Sequence, residues 1–383
     1  MIPYSTQWID EEDIDAVIRV LRSERITQGP IVEEFEQAVA TYTGGRYAVA
    51  FSSGTAALHA ACFAAAVGPG DEVITSPITF VASANCAAYM GAKPVFADID
   101  AQTLTLDWRA AAEKITANTK VLIPVDFSGR PSHVDEINEL AKRHRLVVIE
   151  DAAHALGAEY KGRRVGGLAD MTVFSFHPVK HITTGEGGMV LTNGEQFRDR
   201  LRLFRSHGIT REPARLTKSS DGDWYYEMQE LGYNYRITDI QCALGLAQLR
   251  RLDAFVSRRR EIAAMYATAF ADIPGLDIPQ EPPEVRSSYH LYVLQFPVEK
   301  LKGGRRSVFD ELVKKNLGVN VHYIPVHLQP YYQQRYGYRV GDFPAAEQYY
   351  KRAISIPIYP RMTDADVKYV ISSVTNTMRA LGS

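Results

Sequence analysis

Val147-Val148-Ile149-Glu150-Asp151 is an apolar run closed by two carboxylates. It is too short for a helix and too continuously apolar for a strand with one wet face, so it reads as a strand buried on both sides. Runs of the same kind recur at residues 47–51, 73–75, 94–97, 121–125, 171–176 and 189–191, mostly alternating with helical patterns. Parallel strands need long crossover connections, usually helices, so this alternation predicts an α/β domain around a mostly parallel sheet of seven strands. Gly68-Pro69-Gly70-Asp71 and Gly91-Ala92-Lys93-Pro94 supply turn chemistry between the elements. In such sheets, the loops at the carboxyl ends of the strands are where ligand-binding residues gather.

Working outward, Asp10 can cap a helix whose Ile14, Val17, Ile18 and Leu21 form one apolar face. Pro30 opens a second helix, carrying Ile31, Phe35, Ala38, Val39 and Tyr42 at helical spacing and stopped by Gly44-Gly45. Residues 206–232 are polar and unpatterned around Lys218-Ser219-Ser220-Asp221-Gly222-Asp223, which predicts a long mobile loop. Thr238-Asp239-Ile240-Gln241 is a capping box for a long helix running to about residue 270, which would lead into a smaller α+β unit ending in a helix over 364–381. The expected division is a large domain over residues 1–245 and a small C-terminal domain over 246–383.

A chain of 383 residues, 46% hydrophobic, can bury such a core. Lys plus Arg (43) nearly balances Asp plus Glu (45), so no basic field favours nucleic acid or an anionic membrane. The apolar runs are far shorter than the roughly 20 residues of a membrane-spanning helix. The three cysteines, Cys62, Cys86 and Cys242, have neither disulfide nor zinc spacing, and no metal is expected. With no signal-like opening, the expected location is a reducing compartment, the cytoplasm.

The chemistry concentrates in Phe174-Ser175-Phe176-His177-Pro178-Val179-Lys180, followed by Thr183-Thr184-Gly185-Glu186-Gly187-Gly188, where a strand ends and a lysine enters a Gly-rich turn. Asp151, at the end of its own strand, would reach the same sheet edge; alone it would read as a helix cap. A lysine amine that can bond a cofactor aldehyde, opposite a carboxylate that keeps a pyridine nitrogen protonated, is the pair a pyridoxal-phosphate (PLP) site needs. Phe51-Ser52-Ser53-Gly54-Thr55-Ala56-Ala57 is a strand-to-helix turn of small residues, and helix N-termini favour phosphate. Ser175 could add a hydroxyl there, Phe80 could stack on the ring, and His154 could reach the ring oxygen.

These motifs resemble the DegT/StrS-type sugar aminotransferases of PLP fold type I (aspartate aminotransferase-like), and the resemblance runs from Pro3-Tyr4-Ser5 nearly to the C-terminus. It implies that Lys180 is the Schiff-base lysine, Asp151 the partner of the pyridine nitrogen, His154 the neighbour of the ring hydroxyl, Gly54, Thr55 and Ser175 the phosphate ligands, and Phe80 the stacking ring. It further implies a homodimer in which Asn234, in Gly232-Tyr233-Asn234-Tyr235-Arg236, reaches the phosphate of the neighbouring subunit's cofactor. Within the family, Arg205-Ser206-His207-Gly208-Ile209, Tyr225-Tyr226-Glu227-Met228-Gln229-Glu230-Leu231 and Val321-His322-Tyr323-Ile324-Pro325 are similar to the UDP-sugar aminotransferases of pseudaminic acid biosynthesis. By that resemblance Tyr4, Glu24, Arg25, Ile26, Thr27, Asn320, Val321, His322, Tyr323 and Tyr331 line a sugar-nucleotide site, with L-glutamate as amino donor.

Three rival readings are distinguishable in the residues. PLP-dependent sugar dehydratases of this fold place histidine where Lys180 stands, and a nicotinamide dehydrogenase would show G-x-G-x-x-G after a strand, which no strand here does. A catalytically silent regulator of the same fold would have no use for both Lys180 and Asp151.

Overall fold

The computed structural model describes residues 1–218 and 221–382. In chain order its principal elements are α1 (Glu11–Leu21), α2 (Pro30–Thr43), β1 (Tyr47–Phe51), α3 (Gly54–Ala64), β2 (Glu72–Thr75), α4 (Ala82–Tyr89), β3 (Lys93–Phe96), α5 (Trp108–Glu113), β4 (Thr119–Ile123), α6 (Val134–His144), β5 (Val147–Asp151), β6 (Met171–Ser175), β7 (Gly188–Thr192), α7 (Glu195–Arg205), α8 (Asp239–Leu249), α9 (Leu252–Phe270), β8 (Tyr292–Gln295), α10 (Gly304–Lys314), α11 (Pro330–Tyr336), α12 (Pro344–Arg352), β9 (Ala353–Ile356) and α13 (Asp364–Leu381). All seven predicted strands form one sheet, in the order β1-β7-β6-β5-β4-β2-β3. The run from β6 to β3 is parallel, and β7 is antiparallel to both its neighbours, β1 and β6.

Both faces of the sheet are covered, as a parallel sheet requires. On one side α3, apolar around its whole circumference, packs with α4 and α7 over Val49, Phe51, Ile123, Ile149, Val173 and Val190. On the other, α2 and α8 cover Ala48, Ala50, Phe174, Met189 and Leu191, while α6 covers Ile74, Leu122 and Val148. A separate core joins α9, α10 and α13 to the two-stranded β8/β9 pair. The N-terminal segment binds this second unit: the Ile2 amide donates to Asn316 O at 2.9 Å and the Ile358 amide to Tyr4 O at 3.1 Å.

Three local expectations change. In α1 the capping box at Asp10 forms, but Asp13, Ala16 and Val20 are the buried residues, whereas Ile14 and Leu21 are 42% and 56% exposed. Small Ala16 and Val20 let α1 lie close on Ala243 and Ala247 of α8, and the Asp13 carboxylate accepts from Gln248 Nε2 at 2.6 Å and pairs with Arg251. The long helix predicted after Thr238 is two helices, α8 and α9, parted at Arg250-Arg251. Arg251, at this junction, pairs with Asp13 of α1 and with its N-cap Asp10. In the polar stretch 206–232, Ile209–Thr210 pairs with Glu227–Met228, and the Glu227 carboxylate collects the amides of Thr217 at 2.7 Å and Lys218 at 3.0 Å. Ser219 and Ser220, at the centre of the predicted loop, lie outside the described residues.

Candidate active site

A cavity of about 570 Å³ opens at the carboxyl edge of the sheet, where β5, β6 and the start of α3 meet residues from the second unit. Asp151 and Ser175 end β5 and β6, Lys180 follows β6 in the Gly-rich turn, and Gly54 and Thr55 open α3; all five line the cavity with Phe80, His154, Tyr4, His322 and Tyr323. Topology explains the convergence: strand period and parallel direction carry residues distant in sequence to one edge.

Asp151 is buried and held by donors. Ser83 Oγ donates to its Oδ2 at 2.5 Å, the Ala153 amide to its Oδ1 at 3.2 Å, and Thr79 Oγ1 lies 2.6 Å from Ser83 Oγ. Burial pushes the carboxyl pKa up, while Ser83, the Ala153 amide and the Lys180 charge pull it down. The reciprocal effect appears at Lys180, whose amine falls to about 8 because burial disfavours the cation, against the pull of Asp151.

His154 receives the Ser128 amide at Nδ1 (3.3 Å), and its Nε2 lies 3.1 Å from Tyr323 Oη. Burial first, then the charges of Lys180, His322 and His181, hold it well below the ordinary histidine value. His322 is fixed by Ser355 Oγ at 2.8 Å from Nδ1 and is tilted against the Tyr4 ring at 5.3 Å.

These residues fit PLP. A Cβ at Gly54 would stand 3.0 Å from Ser175 Cβ and 3.2 Å from its Oγ, so glycine keeps the first turn of α3 open beside that hydroxyl. Helix-start amides beside hydroxyls make a phosphate cradle. Phe80, 57% exposed yet lining the cavity, offers an unpaired face for a planar ring, and Asp151 and Lys180 offer the carboxylate and the amine.

The remaining predicted residues lie elsewhere in this chain. Asn234 is exposed and bridges to Ser206. Glu24 and Arg25 line a different groove, between α1 and α8, Ile26 is 48% exposed, and Thr27 pairs with Thr238. Asn320 is exposed, with its Nδ2 3.4 Å from His322 Nε2. Val321 faces a surface groove with Arg305 and Tyr350. Tyr331 is 56% exposed on α11, against Tyr332 and Tyr336. Conversely, the sequence reading missed Ser83, Ser128 and Glu186. Ser83 sits inside a helix and Ser128 in a connection, and neither carries a local motif.

The chain is 46% identical over 380 residues to the spore coat polysaccharide biosynthesis protein SpsC of Bacillus subtilis, covering 99% of this chain and 97% of the relative. It is 39% identical over 375 residues to a UDP-4-amino-4,6-dideoxy-N-acetyl-beta-L-altrosamine transaminase of Campylobacter jejuni, covering 97% and 96%. A putative sugar aminotransferase from Streptococcus pneumoniae, solved with the cofactor in its PMP form, superposes with a TM-score of 0.93 at 32% identity over 99% of this chain and 100% of the other; the same protein has been solved in its PLP form. Residues 7–375 match the DegT/DnrJ/EryC1/StrS aminotransferase family, and the chain belongs to that family: it is a PLP-dependent sugar aminotransferase.

Proposed function

We propose that the protein moves the amino group of L-glutamate to the C4 keto carbon of a UDP-linked 4-keto-6-deoxy-N-acetylhexosamine, giving the UDP-4-amino-4,6-dideoxy sugar, for pseudaminic acid synthesis. The observation that carries this reading is the meeting of Lys180 and Asp151 in one cavity also lined by Tyr4, His322 and Tyr323, in a chain 39% identical over nearly its full length to a transaminase named for such a UDP-sugar. In this reading Tyr4, His322 and Tyr323 meet the sugar.

Bound PLP supplies an electrophilic carbonyl carbon and a cationic ring that accepts electrons. Lys180, with its amine near 8, would hold PLP through its carbonyl carbon, with water as the leaving group, and its neutral amine would be the base that moves a proton at the donor carbon. Asp151 keeps the ring nitrogen protonated, since a cation brought against it favours its ionised form over the burial effect. Ser175 and the first turn of α3 hold the phosphate, and Phe80 covers one ring face.

Asn234 and residues 24–27 belong in this reading to a second copy. All of them lie away from the cavity of their own chain, as residues donated across a homodimer interface would. The enzyme would act in the cytoplasm. Its three cysteines are all free and buried, and among the described residues no helix is long and apolar enough to cross a membrane.

Identity to the Bacillus spore coat protein is higher than to the Campylobacter transaminase, which favours as second reading another nucleotide-linked keto sugar bound for a surface polysaccharide. A panel of UDP- and dTDP-linked 4-keto-6-deoxy sugars assayed with glutamate separates the two. Turnover of the N-acetylated UDP sugar at least about tenfold above the others supports the first reading, and reaction of dTDP sugars alone overturns it.

A further inference from the structure

The chain's own proton inventory around His154 gives the site a direction. Ser128, in the connection from β4 to α6, has a φ of 65° and aims its amide N–H at His154 Nδ1, 3.3 Å away. That amide is clamped from both sides. Ser128 Oγ donates to Leu291 O at 2.7 Å, and Gly129 beside it has a φ of 95° and no room for a side chain, because a Cβ there would meet Ser288 Oγ at 2.7 Å, Tyr289 N at 2.8 Å and His154 O at 2.9 Å. Gly129 O accepts from the Ser288 amide at 2.9 Å and from Ser287 Oγ at 3.0 Å, and Ser288 Oγ donates to His154 O at 3.1 Å. Residues 287–291 of the second unit thus lock the Ser128 loop onto the histidine.

A backbone amide can only donate, so Nδ1 must accept and carries no proton. A neutral imidazole has one N–H, which is then on Nε2, facing Tyr323 Oη at 3.1 Å. The tyrosine oxygen accepts that bond, and its own proton is left for another acceptor. The Tyr323 ring lines the cavity, 6.3 Å from Phe80 between centroids.

We propose that the Ser128 amide fixes His154 as its Nε2–H tautomer and that this orients the Tyr323 hydroxyl as a hydrogen-bond donor into the cavity, toward a carbonyl or alkoxide oxygen of the keto substrate. The substrate half of this statement rests on the function proposed above; the tautomer half does not. Protonating His154 would set an Nδ1–H against the Ser128 N–H, two donors face to face, and the surroundings oppose the added charge as well. Lys180, His322 and His181 all lie close enough to lower its pKa, and the His290 ring is 4.3 Å away between centroids. The phenol is itself held protonated, its pKa raised by burial and then by the Asp151 and Tyr4 charges. Ser128 and His154 are in this account positioning residues, and Tyr323 is the group that touches substrate.

Long-range proton–nitrogen correlation spectra of the histidine-labelled chain, recorded without cofactor or sugar, read the tautomer directly. The expected pattern for His154 is a protonated Nε2 and an unprotonated Nδ1, unchanged between about pH 6 and about pH 9. An Nδ1–H pattern, or a cationic ring at the lower pH, overturns the proposal. In the loaded enzyme, Tyr323→Phe should lower kcat with the keto sugar by about tenfold or more while KM moves less than about threefold; a kcat within about threefold of wild type removes the donor role even if the tautomer is as expected. A sugar panel without a UDP keto substrate would sink the functional reading and leave the tautomer result standing, so the two failures are distinguishable.

Discussion

Glu150 and Asp151 are consecutive residues at the end of β5, both fully buried, and they face opposite sides of the sheet. Burial raises the pKa of each. On the cavity side, Asp151 meets a serine hydroxyl, a backbone amide and the Lys180 cation, all of which favour its charged form. On the other side, Glu150 meets Thr172 Oγ1 at 2.8 Å and a second buried acid, Asp126. Its pKa is pushed up to about 7, and that of Asp126 is raised well above the usual range, by burial first and then by the Glu150 charge. One strand end therefore carries two carboxyls of different use. Asp151 is poised to be an anion when a cation arrives, whereas Glu150 and Asp126 form a buried acid pair that keeps a proton within the core. Burial alone does not mark a catalytic acid; the partners decide it.

The contrast can be broken by swapping each carboxyl for its amide. Asp151→Asn should leave the fold intact and slow transamination by roughly 100-fold or more, since a neutral amide cannot keep the ring nitrogen charged. Glu150→Gln should leave turnover within about threefold of wild type, and a loss as large as that of Asp151→Asn would erase the distinction.

The next effect is on stability. A buried acid raised from 4.5 to about 7 stabilises the fold below pH 4.5, and this contribution is lost as pH rises through about 7, because the unfolded state gives up its proton first. The lost stability is on the order of 3 kcal/mol. Denaturant melts at a series of pH values should show that decline in the wild type and a flatter profile in the Glu150→Gln/Asp126→Asn double variant; parallel profiles would contradict it. The smallest effect is expected at Ser83. Ser83→Ala removes the 2.5 Å bond to Asp151 and should cost about three- to tenfold in single-turnover rate with little change in melting.

How much of this was legible in the sequence follows from how local each signal is. All seven strands were, because each is a short apolar run set off by turn residues, and the Lys180–Asp151 pair was, because both follow directly from strand ends. The packing face of α1 was not, since Ala16 and Val20 are chosen by the close approach of α8 rather than by apolar periodicity. The break at Arg250-Arg251 coincides with ion pairs from Arg251 to Asp10 and Asp13, some 240 residues earlier, which leave no local pattern. Ser83 and Ser128 act through tertiary hydrogen bonds that leave no spacing behind. Tyr331, Val321 and residues 24–27 came from resemblance, and within one chain nothing brings them to the cavity.

The claim on which the rest stands is that the buried amine beside Asp151 is the one that holds the cofactor. Borohydride reduction of the PLP-loaded protein, followed by peptide mass mapping, tests it in one step. The account predicts a pyridoxyl group on the peptide containing Lys180 and its absence from the Lys180→Ala variant. A label on another lysine, or one that persists in that variant, would contradict it.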